Sequence, residues 1–300
     1  MKNSLIIVFV LALLQTQPAL AHDGQPLEPH DLWNAWSWEP SIVLSLGLAT
    51  WAYVRGLRAL RRRTGIRPEA LRWRTASFMA GMVVLFIALI SPLNALAIAL
   101  FSAHMVQHIL LILVAAPLLI LADPLCPFLL SLPWPLRRKL GQGWQQTGWL
   151  RAAWHALTQP LVVWALQTGA LWAWHAPRLY QATLQSEFVH ALGHLSFLAP
   201  AFLFWWVIVR TGRKLAFSVL YVFTMALQSS LLGALITFAR QPWYPAYATT
   251  TQAWNLTPLE DQQLAGGIMW IPMGMIYTLA ALILFMAQLA TLEGMPDQRD

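Results

Sequence analysis

Residues 101–121 read FSAHMVQHILLILVAAPLLIL. This stretch has no acidic, lysine or arginine side chain and is long enough to cross a bilayer as one helix. His104 and His108 lie four residues apart near its start, so on a helix they share one face. His190 and His194 repeat this spacing at the start of another apolar stretch, which ends near Val209. Two helices that each begin with a histidine pair suggest a metal site between them.

The composition of the 300-residue chain is that of a membrane protein. Hydrophobic residues make up 58% of it and charged residues 10%, whereas about a quarter of a soluble domain is charged. The length suffices for about seven spans of roughly 20 residues. We therefore predict an all-α fold, a polytopic membrane helix bundle with seven transmembrane helices after a cleaved signal peptide. The single cysteine, Cys126, excludes a disulfide framework and a cysteine-type zinc site.

The first 21 residues are typical of a secretory signal peptide. Lys2 provides the basic start, Leu5 to Leu14 the short apolar core, and Ala19-Leu-Ala21 a small-residue cleavage site. A retained anchor is the alternative, but the apolar core is too short to span a bilayer. The predicted division is a signal peptide at 1–21, a periplasmic N-terminal segment at 22–39, a seven-span membrane domain at 40–289 and a cytoplasmic tail at 290–300.

The apolar stretches define the seven predicted spans. They are Pro40–Leu57, Thr75–Ala97, Phe101–Ala122, Pro160–Trp174, Val189–Val209, Leu215–Phe238 and Gly266–Leu289. The segment from Leu125 to Leu136 is also apolar. Because three prolines interrupt it, we predict that it lies at the membrane interface and does not cross.

Lysine and arginine residues orient the spans. Residues 55–74 hold eight arginines against one acidic residue, Glu69, which places this loop in the cytoplasm. With seven spans and an outside N-terminus, sixteen of the nineteen basic residues are cytoplasmic, and only Arg178 and Arg240 lie in outer loops. The net charge of +7 therefore indicates orientation and contact with anionic membrane lipid, and no nucleic-acid binding. We predict a multi-pass protein of the bacterial inner membrane with a cytoplasmic C-terminus.

The same orientation brings most histidines to one side of the membrane. His104 and His108 begin the third span, His190 and His194 begin the fifth, and His175 follows the fourth. Seven of the eight histidines thus lie at the outer face. Polar side chains at membrane depth are energetically expensive and usually functional, and imidazole suits copper and zinc. We predict that these five histidines form a metal site, with ordinary hydrogen-bonded packing as the alternative.

The seventh span begins at the same level. Met269 and Met273 are again four residues apart, and because thioether sulfur selects Cu(I), histidine and methionine together favour copper over zinc. Met269 is a candidate additional ligand, although packing also explains a methionine in a span. Asp261 either caps the seventh helix or contacts the metal or one of its ligands. Gly266 and Gly267 are expected to let this helix approach its neighbours closely.

Several short motifs follow one another in order between residues 75 and 289. They are Ser91-Pro-Leu93, His104-Met-Val-Gln-His108 with Ala116-Pro117, Trp174-His-Ala-Pro-Arg-Leu-Tyr180, His190-Ala-Leu-Gly-His194 with Phe197, Phe204-Trp205, and Gly266-Gly-Ile-Met-Trp-Ile-Pro272. With these motifs the chain resembles the CtaG family of polytopic cytochrome c oxidase assembly factors, which serve caa-type oxidases. Each motif is weak alone, and the order and spacing carry the resemblance. The chain departs from the family before the Pro124 turn, where the family has a glycine and this chain has Asp123.

The resemblance implies a non-enzymatic protein of the respiratory chain that helps to build the copper centres of haem-copper oxidases. Such a metallochaperone would bind copper, as Cu(I) or Cu(II), on the periplasmic side and pass it to an oxidase subunit. Zinc is a less favoured metal. The implied partners are cytochrome c oxidase subunits, with a periplasmic copper chaperone as a further candidate.

Other functions stay open at this point. An intramembrane zinc-dependent hydrolase would use three histidines to activate water. However, the His104–His108 motif lacks the glutamate of a His-Glu-x-x-His helix, so Asp261 or Glu260 would have to act as base. A haem-binding membrane cytochrome would leave one member of each histidine pair unused. A proton or metal-ion permease should carry polar residues through the whole membrane depth, yet the inner halves of the spans are apolar.

Overall fold

The computed structural model of the chain describes residues 27–63, 68–185, 187–210 and 215–293, and within these ranges it contains helices and no strand. The helices are α1 (Pro40–Arg63), α2 (Pro68–Leu89), α3 (Pro92–Ala99), α4 (Phe101–Ile109), α5 (Ala116–Leu121), α6 (Leu125–Ser131), α7 (Trp134–Gln146), α8 (Gly148–Leu157), α9 (Pro160–Trp174), α10 (Pro177–Gln185), α11 (Glu187–Arg210), α12 (Leu215–Thr237) and α13 (Pro258–Glu293). A π-helical segment, Leu110–Ala115, joins α4 to α5. Short 3₁₀ turns lie at Leu32–Asn34, Pro245–Tyr247 and Thr251–Trp254.

Four helical stretches in the described ranges are long and apolar enough to cross a membrane. They are Glu69–Leu89, Phe101–Leu121, Phe217–Thr237 and Pro258–Ile283, and a shorter apolar stretch covers Leu195–Val209. Large apolar side chains on the outside of the bundle, such as Leu161 and Phe238, fit a lipid environment. The chain is therefore an all-α membrane protein. The count of seven spans and the orientation of the termini stay predictions, and the predicted signal peptide lies outside the described residues.

The predicted second span, Thr75–Ala97, is wrong in its second half. Helix α2 ends at Leu89, and Ser91 adopts an extended backbone that starts a separate helix, α3. The Ser91 hydroxyl accepts a hydrogen bond from the Leu93 amide at 3.2 Å, and Pro92 occupies the first helical position. A serine cap followed by proline is a strong helix start, so it interrupts the apolar run.

Helix α13 begins earlier than the predicted Gly266. Thr257 and Glu260 form a capping box, in which the Glu260 amide donates to the Thr257 hydroxyl at 3.2 Å and the Thr257 amide donates to the Glu260 carboxylate at 2.8 Å. These bonds satisfy amides that the first turn leaves without helical partners. Asp261 therefore lies within the first turn of α13 but does not cap it.

Asp123 has φ +53°. This left-handed conformation favours glycine, although aspartate is among the side chains that tolerate it. The Asp123 carboxylate lies 3.3 Å from the Arg74 guanidinium. This ion pair accompanies the aspartate in a conformation that favours glycine. The short helix α6 that follows packs against α1.

Helix α4 lies where several elements meet. It packs against α3 and α13. The π-helical segment that follows it packs against α2. Helix α11 packs against α5, α9 and α10. The π-helical turn lies just before Pro117, which lacks an amide hydrogen and disturbs a regular α-helix. The Trp205 indole of α11 donates to the Ile112 carbonyl in this segment at 2.8 Å. These contacts bring the start of α4 close to the end of α9 and the first turns of α11.

Helices α12 and α13 pack against each other extensively, with glycines at a close contact. A Cβ atom at Gly266 would lie 2.6 Å from the Gly233 carbonyl oxygen, whereas a Cβ at Gly267 would meet nothing within 4 Å. The expected close approach is thus confirmed for Gly266 and wrong for Gly267.

We expect Gly266→Ala to force α12 and α13 apart, because the new methyl group would meet backbone atoms that cannot rotate away. The free energy of unfolding should fall by about 1–3 kcal/mol. Thermal unfolding in detergent micelles, followed by circular dichroism, measures the effect. Gly267→Ala is the matched control and should unfold within a degree or so of the wild type or slightly above it. Equal melting temperatures for the two variants would contradict the contact.

Candidate metal centre

Three of the five predicted ligands line one small cavity near the start of α4. His104, His108 and His175 surround a volume of about 20 Å³. The ring centroids of His104 and His108 lie 4.3 Å apart, and those of His108 and His175 lie 6.1 Å apart. His108 and His175 are buried and His104 is half-buried. The structure therefore places the histidines of α4 beside the histidine that follows α9.

A second cavity, of about 10 Å³, adjoins the first. Both are lined by His108, His175 and Phe197. We call the first the histidine cavity; its remaining lining residues are His104, Trp174, Tyr180, Thr183 and Gly193. We call the second the methionine cavity; its remaining lining residues are Met105, Ile112, Leu171, Met269 and Met273.

The other two predicted ligands, His190 and His194, lie on α11, and their side chains are outside the described part of the structure. Gly193 and Phe197 line the histidine cavity, so the first turns of α11 border it. Among the described side chains, no three histidine, cysteine, aspartate or glutamate residues are arranged to hold a metal ion. Metal binding therefore stays a prediction, and a complete ligand set needs donors besides the three described imidazoles.

The His175 ring is held in one tautomer by the last turn of α9. Its Nδ1 atom lies 2.7 Å from the Leu171 carbonyl oxygen, and because a carbonyl only accepts, Nδ1 carries the proton. The Nε2 atom is buried and has no hydrogen-bond partner among the described residues. Burial lowers the pKa of His175 to about 4, so the ring is neutral at pH 7. A buried nitrogen lone pair without a partner thus belongs to a residue that lines both cavities.

Asp261 of α13 holds the start of α4, the helix that carries His104 and His108. Its carboxylate accepts hydrogen bonds from the Phe101 amide at 2.6 Å, from the Ser102 amide at 3.1 Å and from the Ser102 hydroxyl at 2.5 Å. The preceding residue, Leu100, has no side-chain acceptor that could cap α4. The negative charge also lies at the positive end of the α4 dipole. Asp261 is therefore the cap of α4, and through α4 it positions His104 and His108.

Gln107, inside the His-Met-Val-Gln-His motif, ties α4 to the break between α2 and α3. Its side-chain amide donates to the Ala88 carbonyl at 2.7 Å and to the Asn94 side-chain oxygen at 2.9 Å. Both partners are acceptors, so the position requires a donor. A carboxylate at position 107 could not donate these bonds.

Three tyrosines surround the start of α4 and connect it to the 239–257 loop. The Tyr244 hydroxyl donates to the His175 carbonyl at 2.8 Å, and the Tyr180 and Tyr247 hydroxyls share a hydrogen bond. Burial raises the pKa of all three phenols, so they remain protonated. They act as hydrogen-bonding supports.

Met105, Gln107 and the three tyrosines were not predicted from the sequence. Met105 is three residues before His108 and shares a helical face with it, which is a signal that could have found it. The loop tyrosines had no such signal, because their distance from the histidines in sequence gives no indication of contact.

Asp261→Ala should destabilise the protein, because it leaves the buried Phe101 and Ser102 amides without acceptors. We expect the free energy of unfolding to fall by about 3 kcal/mol. Asp261→Asn, which keeps one acceptor oxygen, should lose less. Glu260→Ala, in the exposed capping box beside it, is the control and should have a smaller effect than Asp261→Ala. Thermal unfolding in detergent compares the three, and equal losses for both alanine variants would contradict the buried cap.

Gln107→Glu should also destabilise, since a carboxylate would face two acceptors in a buried position. The expected loss in unfolding free energy is about 2–3 kcal/mol. Gln252→Glu makes the same chemical change at an exposed site and should be close to neutral. Should Gln107→Glu melt with the wild type, the donor role of Gln107 would be wrong.

The chain is similar to known proteins over most of its length. The profile of the family described as Cytochrome c oxidase caa3 assembly factor (Caa3_CtaG) matches residues 51–291. Uncharacterized proteins of Mycobacterium bovis and Mycobacterium tuberculosis are each 26% identical in an alignment of 242 residues that covers 76% of this chain and 35% of theirs. One from Mycobacterium leprae is 25% identical over 244 residues, 77% of this chain and 35% of its own. The match thus spans about a third of these relatives, and no solved structure matches. The chain belongs to the caa3-type cytochrome c oxidase assembly factor family.

Proposed function

We propose that the protein binds copper at the periplasmic side of the membrane and helps to deliver it to an oxidase copper centre. The observation that carries the proposal is the buried, unpartnered Nε2 atom of His175 beside His104 and His108. An oxidase assembly factor needs no bond-making chemistry of its own, and haem-copper oxidases must receive copper during assembly. We therefore treat copper as cargo.

The surroundings of His175 support a ligand role. Metal-binding histidines usually donate their second ring N–H to a carbonyl or carboxylate, which fixes the tautomer and aims the other nitrogen. The bond from His175 to the Leu171 carbonyl has this form. The cap from Asp261 acts on the other side of the cavity, because it fixes the helix that carries His104 and His108.

Differences in burial suggest a route for the cargo. His104 is half-buried, whereas His108 and His175 are buried. Copper would then meet His104 first and leave past it, with ligands exchanged one at a time. His190 and His194 would contribute further imidazoles from α11. Five histidines exceed the usual number for one ion, so the set would comprise two sites or include residues that only support the ligands.

The alternatives gain no support from the site. For a hydrolase, both Asp261 oxygens already accept bonds from α4, and Glu260 is engaged in the capping box. Neither carboxylate is available as the general base that a bound water would need. For a haem protein, cavities of about 20 and 10 Å³ are far too small for a porphyrin. Oxidase subunits are the partners that the proposal implies, with a periplasmic copper chaperone as a candidate donor.

Copper binding can be tested with purified protein in detergent. We expect His175→Ala to weaken copper binding by more than about tenfold. Loss of a residue that only hydrogen-bonds to a metal ligand commonly lowers metal affinity by about that factor, so loss of a ligand should lower it further. His108→Ala and His190→Ala should also weaken it. His155→Ala, an exposed histidine on α8, is the control and should bind like the wild type. Equal copper retention in all of these variants would remove the proposed site. In cells, a deletion strain should lose oxidase activity at limiting copper, and the His175→Ala gene should not restore it.

A further inference from the structure

We infer that the cargo is Cu(I), held by thioether sulfur in the methionine cavity together with His108 and His175. This inference rests on the proposed function and names the oxidation state and the additional ligands. Met105 comes from α4, and Met269 and Met273 come from α13. All three are buried and line the cavity that both histidines share.

The ligand count supports sulfur donors. The described histidine and carboxylate side chains do not assemble a site by themselves. The methionine cavity combines three thioether sulfur atoms with two imidazoles. These are more donor atoms than a small soft cation requires. The Ser229 hydroxyl donates to the Met273 sulfur at 2.8 Å and so orients that side chain from α12.

The charge of the surroundings favours a monovalent ion. The described residues that line the methionine cavity include no acidic side chain, and both imidazoles would bind as neutral ligands. The desolvation penalty of an ion rises with the square of its charge, so a divalent ion pays about four times as much as a monovalent one in the same medium. With no carboxylate to compensate, the cavity suits Cu(I) better than Cu(II) or Zn(II). Thioether sulfur makes the same selection by softness.

The size of the cavity agrees with a dehydrated ion. Its volume, about 10 Å³, is at the lower limit for a single water molecule. Cu(I) sheds its water more readily than the doubly charged ions and accepts low coordination numbers. The histidine cavity, at about 20 Å³ and with half-buried His104, is the wider of the two. We therefore assign the methionine cavity as the inner position of the cargo.

Methionines also pack in membrane helices without binding anything, and the chain offers a matched comparison. Met225 on α12 is equally buried, but it lies outside both cavities. Leucine replaces methionine with little change in volume, so such variants remove sulfur while keeping the packing.

The test measures Cu(I) affinity under anaerobic, reducing conditions by competition with the chelator bathocuproine disulfonate. Met105→Leu and Met269→Leu should each weaken Cu(I) binding by about tenfold or more, and the double variant further, with Zn(II) affinity unchanged. Met225→Leu should bind Cu(I) like the wild type. X-ray absorption spectra of the Cu(I)-loaded wild type should contain a sulfur shell, a measurement that requires no variant to fold.

The outcomes separate this inference from the proposed function. A wild-type spectrum without sulfur, or unchanged Cu(I) affinity in the folded double variant, overturns the inference. If His175→Ala still loses copper in that case, the proposed function stands with nitrogen ligands alone. If His175→Ala retains copper as well, both fail.

Discussion

The bond between the Asp261 carboxylate and the first amides of α4 is the constraint on which the site depends. A helix start leaves amide groups without partners, and in a membrane there is little water to satisfy them. The residue at the cap position, Leu100, offers no acceptor. The acceptor comes instead from α13, so the two helices are fixed to each other at one end. His108 of α4 and the methionines of α13 can share the methionine cavity because of this link.

Other polar contacts hold the remaining parts of the site in the same way. Gln107 ties α4 to the break after α2, and Tyr244 ties the 239–257 loop to the backbone of His175. Across the described residues, only two buried side-chain atoms lack a hydrogen-bond partner. They are the Nε2 atom of His175 and the Oε1 atom of Gln167, which lies two turns earlier on α9. Because such atoms are rare and costly, an unpartnered nitrogen on a residue that lines two cavities is informative about binding.

The approach of His104, His108 and His175 could be predicted from sequence, because it depends on where apolar stretches begin and end. The arginine-rich loop set the predicted orientation, and the four-residue spacing set the shared face. The role of Asp261 could not be predicted, since the cap and the capped helix are about 160 residues apart and either helix could have used it. Met105 was missed because a methionine in an apolar helix looks the same whether it packs or binds. The break at Ser91 was missed because apolarity continues across it.

The π-helical segment between α4 and α5 has a further consequence for how this chain is compared with its relatives. One extra residue in a turn rotates everything that follows by about 100°. On an uninterrupted helical wheel His108 and Leu119 would fall on nearly the same side. Here His108 contacts Phe197 of α11, while Leu119 packs at Gly81 of α2. The stretch from Phe101 to Leu121 therefore consists of two helical parts whose faces are rotated relative to each other. A single-residue deletion between the two parts would turn the side chains of the second part toward other neighbours without changing the hydrophobicity of the stretch.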